Sequence, residues 1–293
     1  MRITMWGVRG SIPAPGPETV RYGGNTTCLE VVTSDDKRII LDAGSGIRAL
    51  GLELAKNMPL SCDIFITHTH WDHIQGLPFF VPLFVPNNDI RIRGTFDPVS
   101  MKGIDEILAV QMEYCYFPVR STELKANIRY DSIRERQTIQ VGTATVSSIL
   151  MNHPVLTFGY KIEDSGKSFF FTGDHEHYAN IFSPEDQEYE EFEKLVAAKS
   201  ANLLEFIDGV DYVVADAQYT QAEYPSRVGW GHATLDDCVA LGRQANVGHL
   251  CLTHHEPTRT DDALESIFAD LLHRNADMAN KLSLAFEGKV IEL

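Results

Sequence analysis

The segment His68-Thr69-His70-Trp71-Asp72-His73 puts four metal-competent side chains within six residues, and it is entered from the apolar run Asp63-Ile64-Phe65-Ile66-Thr67. Runs this rich in β-branched and aromatic residues read as buried strands of mixed sheets. A chain with such a density of imidazole and carboxylate directly behind a buried strand is committed to a sheet whose strand end is a site. Two histidines two residues apart at a strand end can close on one ion. Asp72 and His73 fall past the turn and can face a second ion ~3.5–4 Å away. A lone histidine is more often a core or surface residue than a ligand, but three histidines and an aspartate on one turn have the ligand density of a metal site.

Other strand-like runs end in groups of the same kind. Ala144 to Leu150 leads into Met151-Asn152-His153-Pro154, and Phe169-Phe170-Phe171-Thr172 ends in Gly173-Asp174. Asp211 to Ala215 ends in Asp216, and His249 to Thr253 closes on His254-His255. Cys28 to Thr33 and Arg38 to Leu41 read as strands, the latter ending in Asp42-Ala43-Gly44, whereas Gly46 to Asn57 reads as helical by its Ile47, Leu50, Leu54 spacing. Thr234-Leu235-Asp236-Asp237 has the character of a capping box opening a helical run from Cys238 to Ala245. His232 is then held just outside a helix N-terminus, a setting that favours phosphate oxygens. Strands alternating with helices suit sheets covered by helices.

At 293 residues the chain is long enough for one large domain, read as a single catalytic domain over 1–293. Cys28, Cys62, Cys115, Cys238 and Cys251 have no Cys-x-x-Cys spacing and are expected to be reduced and mostly buried, as in the cytoplasm. No h-region and no long apolar span is visible, so secretion and membrane insertion are not expected. The net charge of −16 repels polyanions unless metals or a local basic patch offset it. Long nucleic acids are thereby disfavoured.

The run from His68 to His73 matches the His-x-His-x-Asp-His motif of the metallo-β-lactamase superfamily, which the chain resembles over nearly its whole length. The resemblance implies an α/β (α+β) four-layer αββα sandwich of two similar halves with metals at one edge; no internal repeat is legible in the sequence itself. It implies one ion held by His68, His70 and His153, another held by Asp72, His73 and His254, and Asp174 with a hydroxide bridging them. His255 is the alternative to His254. Asp42 is expected to hydrogen-bond behind the histidine loop rather than to ligate. Two divalent ions are expected, zinc by default because the donors are imidazole and carboxylate, although manganese or iron accepts the same set. The superfamily's redox di-iron branch carries Glu at the position of His70, so hydrolysis is the expected chemistry.

Asp216 with Gly231-His232-Ala233-Thr234 resembles the phosphodiesterase branch that includes ribonuclease Z. There an acidic residue, more often Glu than Asp, orients a histidine that protonates the leaving oxygen or stabilises the transition state. Asp216 and His232 would fill those roles, and Asp72 would be both ligand and base for the attacking water. Ribonuclease Z needs a basic arm for transfer RNA, and no Lys-rich or Gly-Pro-rich arm is present. With the acidic balance, this points to a small phosphodiester such as a cyclic nucleotide or cyclic phosphate. The competing readings are a lactone or thioester hydrolase, which needs the metals but not the Asp216–His232 pair, an RNA 3′-processing endonuclease, and a non-catalytic metal-binding partner protein.

Two stretches interrupt the motif spacing, from about Leu83 to Gln137 and from His175 to Gly209, and read as insertions. The acidic run Glu185 to Lys194 in the second reads as a solvated helix face. Tyr114-Cys115-Tyr116-Phe117-Pro118 in the first is expected to pack rather than to stack a base. His175 and His177 are expected at the surface of a loop, while Arg227 and Trp230 could touch phosphate and base. A homodimer is expected as the commonest closed assembly.

Overall fold

Alternation with a period of two decides which layer each strand residue meets. A computed structural model describes residues 1–293, with two seven-stranded sheets. The first runs in the order β14 (Val290–Glu292), β1 (Arg2–Gly7), β2 (Cys28–Val32), β3 (Arg38–Leu41), β4 (Ser61–Phe65), β5 (Asp89–Gly94) and β6 (Asn127–Ser132). The second runs β13 (Leu282–Leu284), β12 (His249–Thr253), β11 (Tyr212–Asp216), β10 (Lys167–Phe171), β9 (Phe158–Asp164), β8 (Ala144–Leu150) and β7 (Thr138–Val141). The pairings repeat: antiparallel through β1–β3 and parallel from β3 to β6, then antiparallel from β7 to β10 and parallel from β10 to β13. The expected two halves are therefore present.

In β10, Phe169 and Phe171 join the core between the sheets, while Phe170 faces the helices on the outer side. Tyr212 and Val214 against Val213 and Ala215, and Ile39 and Leu41 against Ile40, divide the same way. Fully burying each such side chain is worth about 2 kcal/mol. Helices α1 (Gly46–Leu54) and α3 (Ile104–Val110) cover the first sheet through Ile47, Leu50, Ile104 and Leu108. Helices α4 (Tyr189–Ile207), α5 (Leu235–Gln244) and α6 (Asp261–Arg274) cover the second through Leu203, Phe206, Val239 and Leu264. The result is the expected αββα sandwich, and no helix is long and apolar enough to cross a membrane.

Several local expectations need correcting. Strand β4 stops at Phe65 because the Thr67 N–H and hydroxyl turn to the Asp42 carboxylate at 2.7 and 2.9 Å, which takes the backbone off the ladder. The stretch 83–137 is not wholly inserted, since β5 and β6 are strands of the first sheet and what stands off it is 95–126 with α3. Four cysteines are buried, but Cys115 is exposed. Tyr114 and Tyr116 are more than 70% exposed, and of that knot Phe117 packs, edge-on against Phe79. The acidic face of α4 is solvated as expected, and Thr234 caps α5 by accepting from the Asp237 N–H at 3.0 Å.

Strands β4, β8, β10, β11 and β12 deliver their C-terminal ends to one edge of the sandwich. In open parallel sheets that edge is where ligands are bound. Asp72 and His73 lie on the one-turn helix α2 (Trp71–Ile74) that follows β4.

Candidate metal centre

At this edge the donor atoms of His68, His70, His153 and Asp174 form one group, and those of Asp72, His73, Asp174 and His254 form a second, all within 4.8 Å of one another in each. Asp174 divides its oxygens between them. Its Oδ2 is 3.5 Å from His68 Nε2 and 3.9 Å from His153 Nε2, and its Oδ1 is 3.1 Å from His73 Nε2 and 3.2 Å from His254 Nε2. Between the histidines, His70 Nδ1 lies 3.0 Å from His153 Nε2, and Asp72 Oδ2 lies 3.2 Å from His254 Nε2.

The far nitrogens of the rings fix their tautomers through the hydrogen-bond network. Nδ1–H of His73 donates to Asp42 Oδ2 at 2.7 Å, that of His153 to the Gly231 carbonyl at 2.9 Å, and that of His254 to Gln218 Oε1 at 3.1 Å. His68 Nδ1 is 3.1 Å from the Thr67 hydroxyl, whose own proton goes to Asp42. Each Nε2 lone pair is thereby turned inward, the arrangement second partners give metal-binding imidazoles. His68 Nε2 and Asp174 Oδ1 are buried with no hydrogen-bond partner, and buried polar atoms are rarely left so. The donor set fits divalent cations.

Electrostatics support the same fit. Burial and the neighbouring His73 hold His68 well below its usual value, and burial brings His153 down to about 4. Burial works against the charged form of His254 as well, but Asp174, Asp216 and Asp72 outweigh it and raise the group to about 9. His73 is raised in the same way by Asp174, Asp72 and Asp42. Three carboxylates gathered in a buried space demand positive charge, and protons on imidazole supply it wherever cations do not.

Beside the two groups, His232 Nδ1–H donates to Asp216 Oδ2 at 2.9 Å and lies 3.8 Å from Asp174 Oδ2. Burial lowers His232, yet Asp216 and Asp174 leave it raised overall. Asp216 is itself fixed by the N–H groups of His175 and Gln218 at 3.1 and 3.2 Å. Asp42, Ser11 and His254 adopt left-handed backbone, with φ of 62°, 62° and 60°, a conformation costing about 1–2 kcal/mol for a residue with a Cβ. At Ser11 it aims the N–H at Asp72 Oδ2, 2.7 Å away.

All seven expected ligands, with Asp42, Asp216 and His232, are thus brought together. His255 is not: it is buried behind the site, with Nε2 2.9 Å from the Ala285 carbonyl. His175 is a correction, being buried rather than at the loop surface, with Nδ1 accepting from the Asn152 N–H at 3.1 Å. His177 is partly exposed and pairs with Asp237 at 3.2 Å. Arg227 stacks over Trp230 at 4.6 Å. Three contributors had no sequence signal: Ser11, Gln218 and Glu176. The buried Glu176 carboxylate accepts from the Tyr224 hydroxyl and from the Gly229 and Gly231 N–H groups at 2.6–2.8 Å. It holds the loop that carries His232 and the carbonyl orienting His153. Gly231 has φ of 89°, and a Cβ there would sit 2.1 Å from His153 Nδ1, so glycine is required.

Residues 37–255 match the profile of the family described as Beta-lactamase superfamily domain. A ribonuclease Z from Thermoplasma acidophilum is 23% identical over 290 residues, covering 90% of this chain and 89% of that protein. Among solved structures, the metallo-beta-lactamase fold protein YhfI from Bacillus subtilis superposes with a TM-score of 0.70 at 17% identity, covering 100% of this chain and 98% of that one. A diphosphatase from the PhnP family superposes with a TM-score of 0.65 at 17% identity, covering 100% of this chain and 97% of that one.

Proposed function

From the premise that the chain belongs to the beta-lactamase superfamily and is a metal-dependent hydrolase, we propose that it is a dinuclear phosphodiesterase acting on a small phosphodiester. His68, His70 and His153 would hold one ion, Asp72, His73 and His254 the other, and Asp174 both. Zinc suits this imidazole and carboxylate set. Divalent ions supply Lewis acidity that offsets phosphate charge and acidifies water near neutral pH.

The chain's own residues account for the proton movements. Asp72 spends Oδ2 on the Ser11 N–H, which leaves Oδ1 to take the proton of an attacking water. His232 gives Nδ1–H to Asp216, so its Nε2 carries the proton that the departing alkoxide needs. Water and diester become a monoester and an alcohol, with one proton taken at Asp72 and one given at His232. The observation that carries this reading is the His232–Asp216 pair beside Asp174, because an acyl hydrolase has no use for it. The ribonuclease Z and diphosphatase likenesses support the same bond type.

The test is hydrolysis of bis-(p-nitrophenyl) phosphate beside a chromogenic lactone and thioester, with zinc- or manganese-loaded protein. Phosphodiester cleavage should vanish in Asp72→Ala. In His232→Ala it should fall about 10²–10⁴-fold with metal content unchanged. Acyl cleavage alone would reject the proposal. The likeness to ribonuclease Z favours RNA 3′ processing as a second reading, so an RNA with a 3′ extension belongs in the same assay. The net charge of −16 predicts that it is cleaved poorly.

A further inference from the structure

We propose that the groove beside the His68–His73 loop seats a purine or pyrimidine base carried by the substrate diester; this rests on the phosphodiesterase reading and names the substrate class. The groove has a volume of about 880 Å³ and is lined by Thr69 and Trp71 on one side and by Gln111, Tyr116 and Phe117 on the other. Thr69 and Trp71 alternate with His68, His70 and Asp72 along one loop. A phosphate at the metal centre therefore has the groove as its neighbour, and whatever the phosphorus carries on that side enters it. The volume is that of a small-molecule site.

Three observations select a base over other occupants. Trp71 is 80% exposed and Tyr116 71% exposed, although large aromatics at such positions normally find cover. Flat faces left open beside a phosphate site are stacking platforms, and stacking tolerates every base. Gln111 Nε2 is buried and has no hydrogen-bond partner, so the lining holds an amide donor waiting for an acceptor. A base edge supplies carbonyl oxygens and ring nitrogens, whereas an alkyl chain would leave that donor unpaired. The wall opposite the metal loop is built by segment 95–126, which crosses between the parallel strands β5 and β6. Specificity would then reside in the part of the chain farthest from the shared strand architecture.

The experiment compares two diesters with the same leaving group, thymidine 5′-(p-nitrophenyl) phosphate and methyl p-nitrophenyl phosphate, on metal-loaded protein. Wild type should prefer the thymidine ester in kcat/KM by about tenfold or more. In Trp71→Ala and in Gln111→Ala that ratio should shrink toward one, whatever the absolute rates. Equal kcat/KM values in wild type, or a preference that survives both substitutions, would overturn the inference. If neither diester turns over, the phosphodiesterase reading fails separately. Calorimetry with thymidine 5′-monophosphate and methyl phosphate then decides the groove: tighter binding of the nucleotide, lost in Trp71→Ala, sustains it, and equal binding ends it.

Discussion

Asp42 acts at the metal centre without facing it. It is fully buried and accepts three hydrogen bonds, from the Thr67 N–H, the Thr67 hydroxyl and His73 Nδ1–H. The first two set the exit of the chain from β4, and the third sets the direction of the His73 lone pair. Asp42→Ala would leave all three donors to find other partners and free the ring to rotate. We expect zinc affinity to fall about 10–100-fold, read by competition with a chromogenic chelator, while the far-ultraviolet circular dichroism of the folded sandwich persists. Unchanged affinity would mean that the loop is held by packing alone. Asp42 was legible in the sequence because it ends a strand in an Asp-Ala-Gly turn close to the motif it serves. Ser11 was not, because it acts through a backbone N–H on a residue 61 positions away. Gln218 was not, because its partner His254 comes from the next strand of the sheet. His175 was misread for the converse reason: a polar loop predicts solvent, but this loop closes under Asp216.

Among the elements, the segment from Tyr224 to Gly231 is the one whose position the chemistry depends on and whose own packing is thin. Val228 and Trp230 are more than half exposed, so apolar burial gives it little. Its anchor is Glu176, whose carboxylate takes three donors from it. In Glu176→Ala those donors lose a buried acceptor. Stability should drop by about 2 kcal/mol after partial rehydration, against about 1 kcal/mol for Tyr224→Phe, which removes one hydroxyl. Urea unfolding at fixed zinc measures both. Release of the Gly231 carbonyl should also loosen His153, so Glu176→Ala, unlike Tyr224→Phe, is expected to bind zinc less tightly; equal losses from the two variants would assign Glu176 a purely structural part. Element identity was largely readable from the sequence, since alternating apolar residues marked β2, β3, β8, β10, β11 and β12. Strands β5 and β6 were taken into an insertion because Arg91, Arg93, Arg129 and Asp131 interrupt their apolar residues. Salt bridges across those strands, such as Arg91–Asp131 at 3.4 Å, satisfy the charges in a way that no local pattern announces.

For the molecule as a whole, the metal centre joins the two sheets. His68, His70, Asp72 and His73 follow β4 of the first sheet, whereas His153, Asp174 and His254 follow β8, β10 and β12 of the second. The repeated strand order that brings these ends together left no trace in the sequence, because the two halves share pairing directions rather than residues. Cations bound only by the folded state stabilise it, by about 2.7 kcal/mol per site at a hundredfold excess over Kd, so chelation should lower the Tm of the entire sandwich in one transition. The size of that effect should depend on pH in a definite direction. In metal-free protein the charge facing Asp72, Asp174 and Asp216 comes from imidazolium groups. His254 titrates at about 9 there, above its ordinary value near 6.5. A group whose pKa is raised by folding gives its full stabilisation below the unfolded value and loses it as pH climbs through the folded one. Metal-free protein should therefore weaken steadily between about pH 6.5 and 9. In loaded protein the imidazole lone pairs are engaged by cations, and metal affinity grows as competing protons leave. The Tm gap between zinc-loaded and chelator-treated protein, followed by thermal scanning at constant ionic strength, should widen across that window; a constant or narrowing gap would show that protons and cations do not exchange for one another at this centre.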